Sequence, residues 1–140
     1  MNIVFDTNII IDVLAKREAF YADSARALSA TDGKTTFACI TSNTVTDIFY
    51  IMRRYKIPPE TIKDSLRKLF SLVEVLDVNA EDCKTALTTA MEDFEDSVLA
   101  RCALRHSADY IVTRNAADFI GSPVPALTAP ELCDLLEQNK

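Results

Sequence analysis

Short apolar runs that end in polar residues alternate along this chain with longer stretches whose apolar positions recur at helical spacing. The first run, Ile3-Val4-Phe5, ends in Asp6-Thr7-Asn8 and passes directly into Ile9-Ile10-Ile11-Asp12-Val13-Leu14. An apolar run of about four residues before a polar break predicts a buried strand, and the next apolar set predicts the start of a helix or turn packed on it. Arg17 to Ala30 is rich in helix formers, with Phe20, Ala25 and Leu28 apolar, and stops at Thr31-Asp32-Gly33. Phe37 to Ile40 predicts a second strand. Thr41 or Ser42 can cap the helix after it, whose stripe is Val45, Ile48, Phe49 and Met52.

Lys56-Ile57-Pro58-Pro59 is a break, and Pro59 suits the first position of a helix carrying Ile62, Leu66, Leu69 and Phe70. Val73 to Val78 predicts a third strand and Ala80 to Ala90 a helix. Asp93-Phe94-Glu95-Asp96 opens a helix running to about His106, and Tyr110 to Thr113 is a fourth strand bounded by Arg114-Asn115. Val124 to Leu127, between prolines, suits an edge strand, and Pro130 to Glu137 closes with a helix. Strands alternating with helices predict an α/β domain whose mostly parallel sheet of four to five strands is covered on both faces. No repeat, low-complexity tract or domain-sized linker divides residues 1–140.

Composition narrows the class. A chain of 140 residues can bury roughly two thirds of its unfolded surface, so it needs no disulfide or metal staple. Cys39, Cys83, Cys102 and Cys133 are far apart, form no C-x-x-C, and read as small buried hydrophobes in a reducing compartment. The opening apolar run is broken by Asp6 and Asp12, which does not fit a secretory leader, and no window resembles a membrane span, so a cytoplasmic protein with no membrane partner is expected. A net charge of −6 argues against general affinity for nucleic acid unless something supplies local positive charge.

The acids supply the candidate chemistry. In a parallel sheet with helical crossovers, helices begin at the edge where strands end. Asp6 ends the first strand, Asp47 lies in the second turn of the helix after the second strand, and Asp93 and Asp96 open the helix before the fourth strand. Asn115 and Asp118 directly follow that strand. If the fourth strand lies beside the first, these positions share the switch-point crevice where such folds bind ligands. Asp93 and Asp96, spaced i, i+3, project from one helix face, and Asp96 shares its sector with the small Ala100 and Ala103. Gathered carboxylates repel, so they either keep protons or share a cation. Magnesium is an economical partner: it takes one or two carboxylates and fills its other positions with water and phosphate oxygens. Such an ion lowers the pKa of a water and neutralises charge on a phosphodiester in transition.

Ile-Val-Phe-Asp-Thr-Asn at the start, Asp-Phe-Glu-Asp-Ser-Val-Leu-Ala from Asp93 and Tyr-Ile-Val-Thr-Arg-Asn-Ala-Ala-Asp-Phe from Tyr110 strongly resemble the PIN-domain ribonucleases, particularly the small single-domain toxins of bacterial toxin–antitoxin pairs. The resemblance implies a three-layer α/β/α fold, a magnesium- or manganese-dependent endoribonuclease site, RNA as substrate, a cognate antitoxin and a homodimer. By position it implies that Asp6 is the primary metal ligand, that Asp96 and Asp93 also bind metal, that Asp47 and Asp118 complete the catalytic acids, and that Asn8, Thr113 and Asn115 line the substrate site. Two departures stand out. Asp47 is one methylene shorter than the usual Glu, and Asn115 stands where many relatives have Asp.

Other readings of the same residues stay open. Asp6 can be a turn-forming residue after a strand, and Asp93 with Asp96 can form a capping box. Asp47 lies opposite its helix's apolar stripe, where periodicity alone puts it in solvent. Asp118 and Asn115 can be turn residues. Arg53, Arg54, Lys56, Lys63, Arg67 and Lys68 can be an RNA track, though a solvated helical surface is the simpler reading, and His106 is too far along its helix to reach Asp96. An aspartyl phosphotransferase of the haloacid-dehalogenase kind would need an acid where Asn8 stands, and a receiver domain would need paired early acids and a late lysine. A PIN fold that binds RNA or protein with weak or no turnover is the other alternative.

Overall fold

The computed structural model describes residues 1–140, and its five strands and seven α-helices follow the order the patterning predicts. The strands are β1 (Asn2–Phe5), β2 (Phe37–Thr41), β3 (Glu74–Leu76), β4 (Tyr110–Val112) and β5 (Ala126–Leu127). The helices are α1 (Thr7–Leu14), α2 (Tyr21–Ser29), α3 (Ser42–Arg54), α4 (Pro59–Phe70), α5 (Ala80–Ala86), α6 (Phe94–Arg105) and α7 (Ala129–Gln138). All pairings are parallel, in the order β3-β2-β1-β4-β5. The chain therefore winds one way from β1 through β2 to β3 and the other way through β4 to β5, which places the switch point between β1 and β4.

Period-2 alternation splits the core into two layers. Ile3 and Phe5 of β1 face one side with Ile40 and Val112, where Ile9, Ile48, Ile62 and Leu132 bring in α1, α3, α4 and α7. Val4, Cys39 and Ile111 face the other, against Leu99, Cys102 and Ala103 of α6, with α5 packed beside α6. The result is a three-layer α/β/α sandwich. Small residues on α6 allow its close approach: Ala100 and Ala103 are fully buried.

Boundaries depart from the pattern in four places. Residues Arg17 to Phe20 form turns before α2 rather than its first turn. β3 keeps only Glu74–Leu76, because it is an edge strand with a single partner. α5 ends at Ala86, and the residues up to Ala90 are turns in which the Thr88 and Thr89 hydroxyls bond the carbonyls of Thr85 and Ala86. β5 is only Ala126–Leu127. One expectation about the cysteines is overturned: Cys39, Cys102 and Cys133 are buried, but Cys83 is exposed. On the short α5 the inward positions are Asp82 and Ala86, one turn apart, which turns Cys83 outward. His106 caps the end of α6, with Nε2 3.2 Å from Asp77 Oδ1, away from the switch point. No helix is long and apolar enough to cross a membrane.

Candidate active site

Asp6 is built into the switch point by backbone and side chain together. Its N–H bonds Val112 O at 2.9 Å, which ties the end of β1 to β4. Extended at ψ 155°, it is the N-cap of α1, and its Oδ1 accepts from the Thr7 N–H at 2.7 Å. Thr113, buried just past β4, donates its hydroxyl to Asp6 Oδ2 at 2.9 Å. The Thr113 oxygen in turn accepts from Asn8 Nδ2 at 3.4 Å and from the Asn115 N–H at 3.2 Å. One donor and two acceptor positions are then all used, and the rotamer is fixed. Asn8 also donates to Asp6 Oδ2 at 3.5 Å and accepts from the Arg114 N–H at 3.4 Å, so it bridges the two strand ends.

A second hydroxyl group supports α3. Thr41, the last residue of β2, caps α3 by accepting from the Thr44 N–H at 3.2 Å. Thr44 Oγ1 meets Thr7 Oγ1 at 3.0 Å, which links the starts of α1 and α3. Asp47 follows one turn later. It does not point into open solvent, as the stripe opposite it implied: it is half-buried, and with Ile51 it lines the cavity at the margin of the buried face formed by Thr44, Ile48 and Met52. On the far wall Asp93 is the N-cap of α6, accepting from the Asp96 N–H at 2.9 Å. Half of the capping box is therefore real. The Asp96 carboxyl makes no bond back to the cap and is left to face the cavity, which Asp118, on the 3-10 turn Ala116–Phe119, also lines.

All eight residues singled out by sequence, Asp6, Asn8, Asp47, Asp93, Asp96, Thr113, Asn115 and Asp118, line this one open cavity of about 620 Å³. Sequence reasoning gave no role to Glu95, Arg17 or Tyr50, which also line it. Glu95 was visible inside the Asp93–Asp96 run, but first-turn acids are common for helix-dipole reasons alone. Of the six basic residues weighed as a track, all are exposed and Arg54 alone reaches the cavity.

Electrostatics separate these acids from ordinary surface acids. None of the lining carboxylates has a basic partner within 4 Å; every ion pair in the protein lies elsewhere. Burial pushes the Asp6 carboxyl above its ordinary range, against the pull of the Thr113 and Thr7 bonds, and Asp93 and Glu95 push it further. Asp47 is raised by burial, then by Glu95 and Asp6. Asp96 is raised most, to about 7, by burial first and then by the charges of Asp6, Asp93, Asp118 and Glu95.

The donor set is hard: carboxylate, amide and hydroxyl oxygens, with no His or Cys on the cavity wall. That set suits a magnesium- or manganese-like cation. No group of three or more His, Cys, Asp or Glu side chains stands in position to enclose a metal ion alone. An ion that takes one or two carboxylates and keeps its waters needs no such enclosure.

A doubly wound α/β domain with an acidic cavity at its switch point is the class that fold and site define. The chain belongs to the PIN-domain family, whose sequence model it matches over residues 2–117. No curated protein matches the sequence. Among solved structures it is similar to VapBC2 from Rickettsia felis bound to a promoter DNA fragment, at 20% identity and a TM-score of 0.68, covering 91% of this chain and 98% of that one. A toxin–antitoxin complex from Klebsiella pneumoniae is similar at 22% identity and a TM-score of 0.68, covering 90% and 96%. The sarcin–ricin-loop-cleaving toxin VapC20 from Mycobacterium tuberculosis is similar at 14% identity and a TM-score of 0.64, covering 78% and 86%. At these identities the likeness is one of fold.

Proposed function

We propose that this PIN domain is a magnesium- or manganese-dependent endoribonuclease that acts as the toxin of a toxin–antitoxin pair. One observation carries the reading: carboxylates from three separate segments, Asp6, Asp47 and Asp96, face one cavity with raised protonation and no protein cation among them. Such an arrangement is relieved by retained protons or by a cation, and a bound cation lets all three acids ionise near neutral pH. Asp6 and Asp96 are the residues that would hold the ion, with Asp93 beside them. When bound, the ion supplies Lewis acidity toward a phosphodiester and makes water a better nucleophile near neutral pH.

The chain's own residues do the rest. Thr113 and Thr7 keep Asp6 in one rotamer, and their bonds oppose the burial that raises its carboxyl. Asn8 and Asn115, anchored to the same hydroxyl layer, present amides to a phosphate or ribose at the cavity mouth. Asp47 or Asp118, both on the cavity wall, can take the proton of an attacking water. The amide at 115 places one charge fewer beside the cation than the usual family acid, and the shorter Asp47 reaches less far toward it, which favours a cation that keeps several waters. A cognate antitoxin is supported by the character of the similar structures, several of which are toxin–antitoxin complexes, and a homodimer is part of the same proposal.

The test is RNA cleavage by the purified protein with magnesium or manganese, with EDTA as control, beside Asp6→Asn and Asp96→Asn. Cleavage that requires the metal and is lost in both folded variants supports the reading. Parental cleavage by a folded Asp6→Asn variant removes this cavity from the chemistry. If the wild-type protein binds RNA but metal gives no turnover, a binding PIN domain is the better description.

A further inference from the structure

Resting on the nuclease reading, we propose that Tyr50, Arg54 and Arg17 form a subsite for one nucleotide of single-stranded RNA, with Tyr50 stacking a base and the two arginines holding backbone phosphate. Asp47, Tyr50 and Arg54 line the cavity from one face of α3, at i, i+3 and i+7. At 1.5 Å per residue Arg54 lies about 10 Å along the helix from Asp47, so the acidic floor passes into a basic rim along one wall. Arg17 and Arg54 are the cations that line the cavity. Neither neutralises an acid of the floor.

Arg17 and Tyr50 are held by neighbouring side chains, and Arg54 is free of an ion-pair partner. Arg17 Nε donates to Tyr55 Oη at 3.1 Å, its guanidinium carbon lies 5.8 Å from the Tyr55 ring centroid, and Nη1 is 3.5 Å from the buried Asp12. This tether fixes the guanidinium before any ligand arrives. Arg54 has no ion-pair partner, whereas Lys63 and Arg67 on the next helix are taken up by Glu60 and Asp64. Tyr50 is 67% exposed, yet its ring is braced at 85° to that of the half-buried Phe49, with 5.9 Å between centroids. An exposed aromatic ring beside the unpaired Arg54 and the pre-positioned Arg17, above a site that cuts phosphodiesters, matches the platform-and-phosphate arrangement of single-strand binding. In a duplex the bases already stack on each other and offer no face to a side chain, so the subsite selects unpaired RNA.

Binding is measured in EDTA, without turnover, by fluorescence anisotropy of a labelled pool of short single-stranded oligoribonucleotides and of the same pool annealed to its complement. Tyr50→Ala is expected to weaken single-strand binding between about 5- and 150-fold, the value of one stacked base, while Tyr50→Phe retains it. Arg54→Ala should weaken binding and flatten the logarithmic salt dependence by about 0.7, the share of one phosphate on a single strand. With magnesium, Tyr50→Ala should raise KM with kcat little changed. Unchanged single-strand affinity in Tyr50→Ala, or equal losses for the duplex pool, overturns the subsite even if the wild type cleaves. Absence of both binding and cleavage in the wild type overturns the nuclease reading as well. If Tyr50→Ala binds RNA normally but loses capture of a co-expressed protein partner, the ring serves a protein interface and the RNA subsite is wrong.

Discussion

The two ends of α6 carry acids under opposite conditions. At its last turn Arg105 reaches Asp82, itself only 3% exposed, with Nε 3.0 Å from Oδ1 and Nη2 2.9 Å from Oδ2, and also bonds the Asp77 carbonyl. Burial pushes the Asp82 carboxyl up, but the Arg105 bonds and the Asn79 backbone outweigh it, and Asp82 titrates below its ordinary value. At the first turn Asp96 is also half-withdrawn from water, but its charged neighbours are acids, and it rises to about 7. Burial is common to both. What differs is the counter-charge, which the fold provides at one end of the helix and withholds at the other. Asp12 follows the first pattern: fully buried, it lies 3.5 Å from Arg17 and 3.2 Å from Arg114 and accepts from Ser24. The chain can pair buried acids, so the unpaired acids at the switch point are the feature on which the proposed cation site rests.

The largest effect that sharpens this contrast is on turnover. Asp6→Asn and Asp96→Asn should lower metal-dependent RNA cleavage by at least about 10²-fold, since even residues behind the ligands of metal sites cost about 10- to 100-fold. Asp82→Asn should leave cleavage at temperatures below its melting point within a few-fold of the parent. Initial rates on folded protein, checked by circular dichroism, make the comparison, and equal losses at both ends of α6 would erase it.

Stability should move in the reverse sense. Asp82→Ala leaves the Arg105 guanidinium without its partner and should lower the thermal midpoint on the order of 10 °C, the usual result of breaking a buried pair in a domain of this size. Asp96→Asn, in metal-free buffer at pH 8, relieves repulsion and should raise the midpoint by a few degrees, on the order of 2–4 °C. Scanning calorimetry of both variants decides it, and a fall in both midpoints would show that Asp96 already has a stabilising partner.

Much of this was legible from residues, because it depends on local pattern. The Ile3–Phe5 run, the stripe of α3 and the prolines around β5 are local signals, and each marked an element that is present. The parallel order followed from alternation, and the switch point turned Asp6, Asp96 and Asp118 into neighbours despite their separation in the chain. Asp47 was harder: a helical wheel sorts core from solvent, but it cannot represent a face that meets neither, and Asp47 faces a cavity. Arg17 and Asp12 were illegible for a different reason. Their roles depend on Arg114 and Tyr55, contacts that only the folded chain makes. Cys83 shows the limit of compositional reasoning, since residue type says how often a side chain is buried and not which face of a short helix it occupies.

The pH dependence of the metal-free protein gives a smaller but more selective effect. Asp96 holds its proton in the folded protein up to about 7, while the unfolded chain releases it near 3.8. Between these values the folded state binds more protons, so stability falls as pH rises through the window, the reverse of the trend a paired acid such as Asp82 produces. Midpoints measured from pH 4.5 to 8 should therefore decline in EDTA, decline less with saturating magnesium, and decline least in Asp96→Asn. An identical slope in Asp96→Asn would place the titration elsewhere.

The smallest expected effect tests whether Asp6 must be held as well as present. Thr113 is fully buried, donates to Asp6 Oδ2 and accepts from Asn8 and from the Asn115 N–H, so its hydroxyl sets the orientation of three site residues at once. Thr113→Val keeps the shape and removes the hydroxyl. It leaves the Asn115 N–H without its acceptor and Asp6 without its donor, so Asp6 should be harder to ionise and free to rotate. Cleavage should fall about 10-fold, within the range for residues positioned behind metal ligands, and its pH profile should move upward because a lost hydrogen bond to the charged form raises a carboxyl. Thr113→Ser restores the hydroxyl and should recover both rate and profile. A valine variant that loses rate with no displacement of the profile would mean that the hydroxyl serves packing of the β4 end, and the ordering of the site would then have to come from the Thr7 N–H and Asn8 alone.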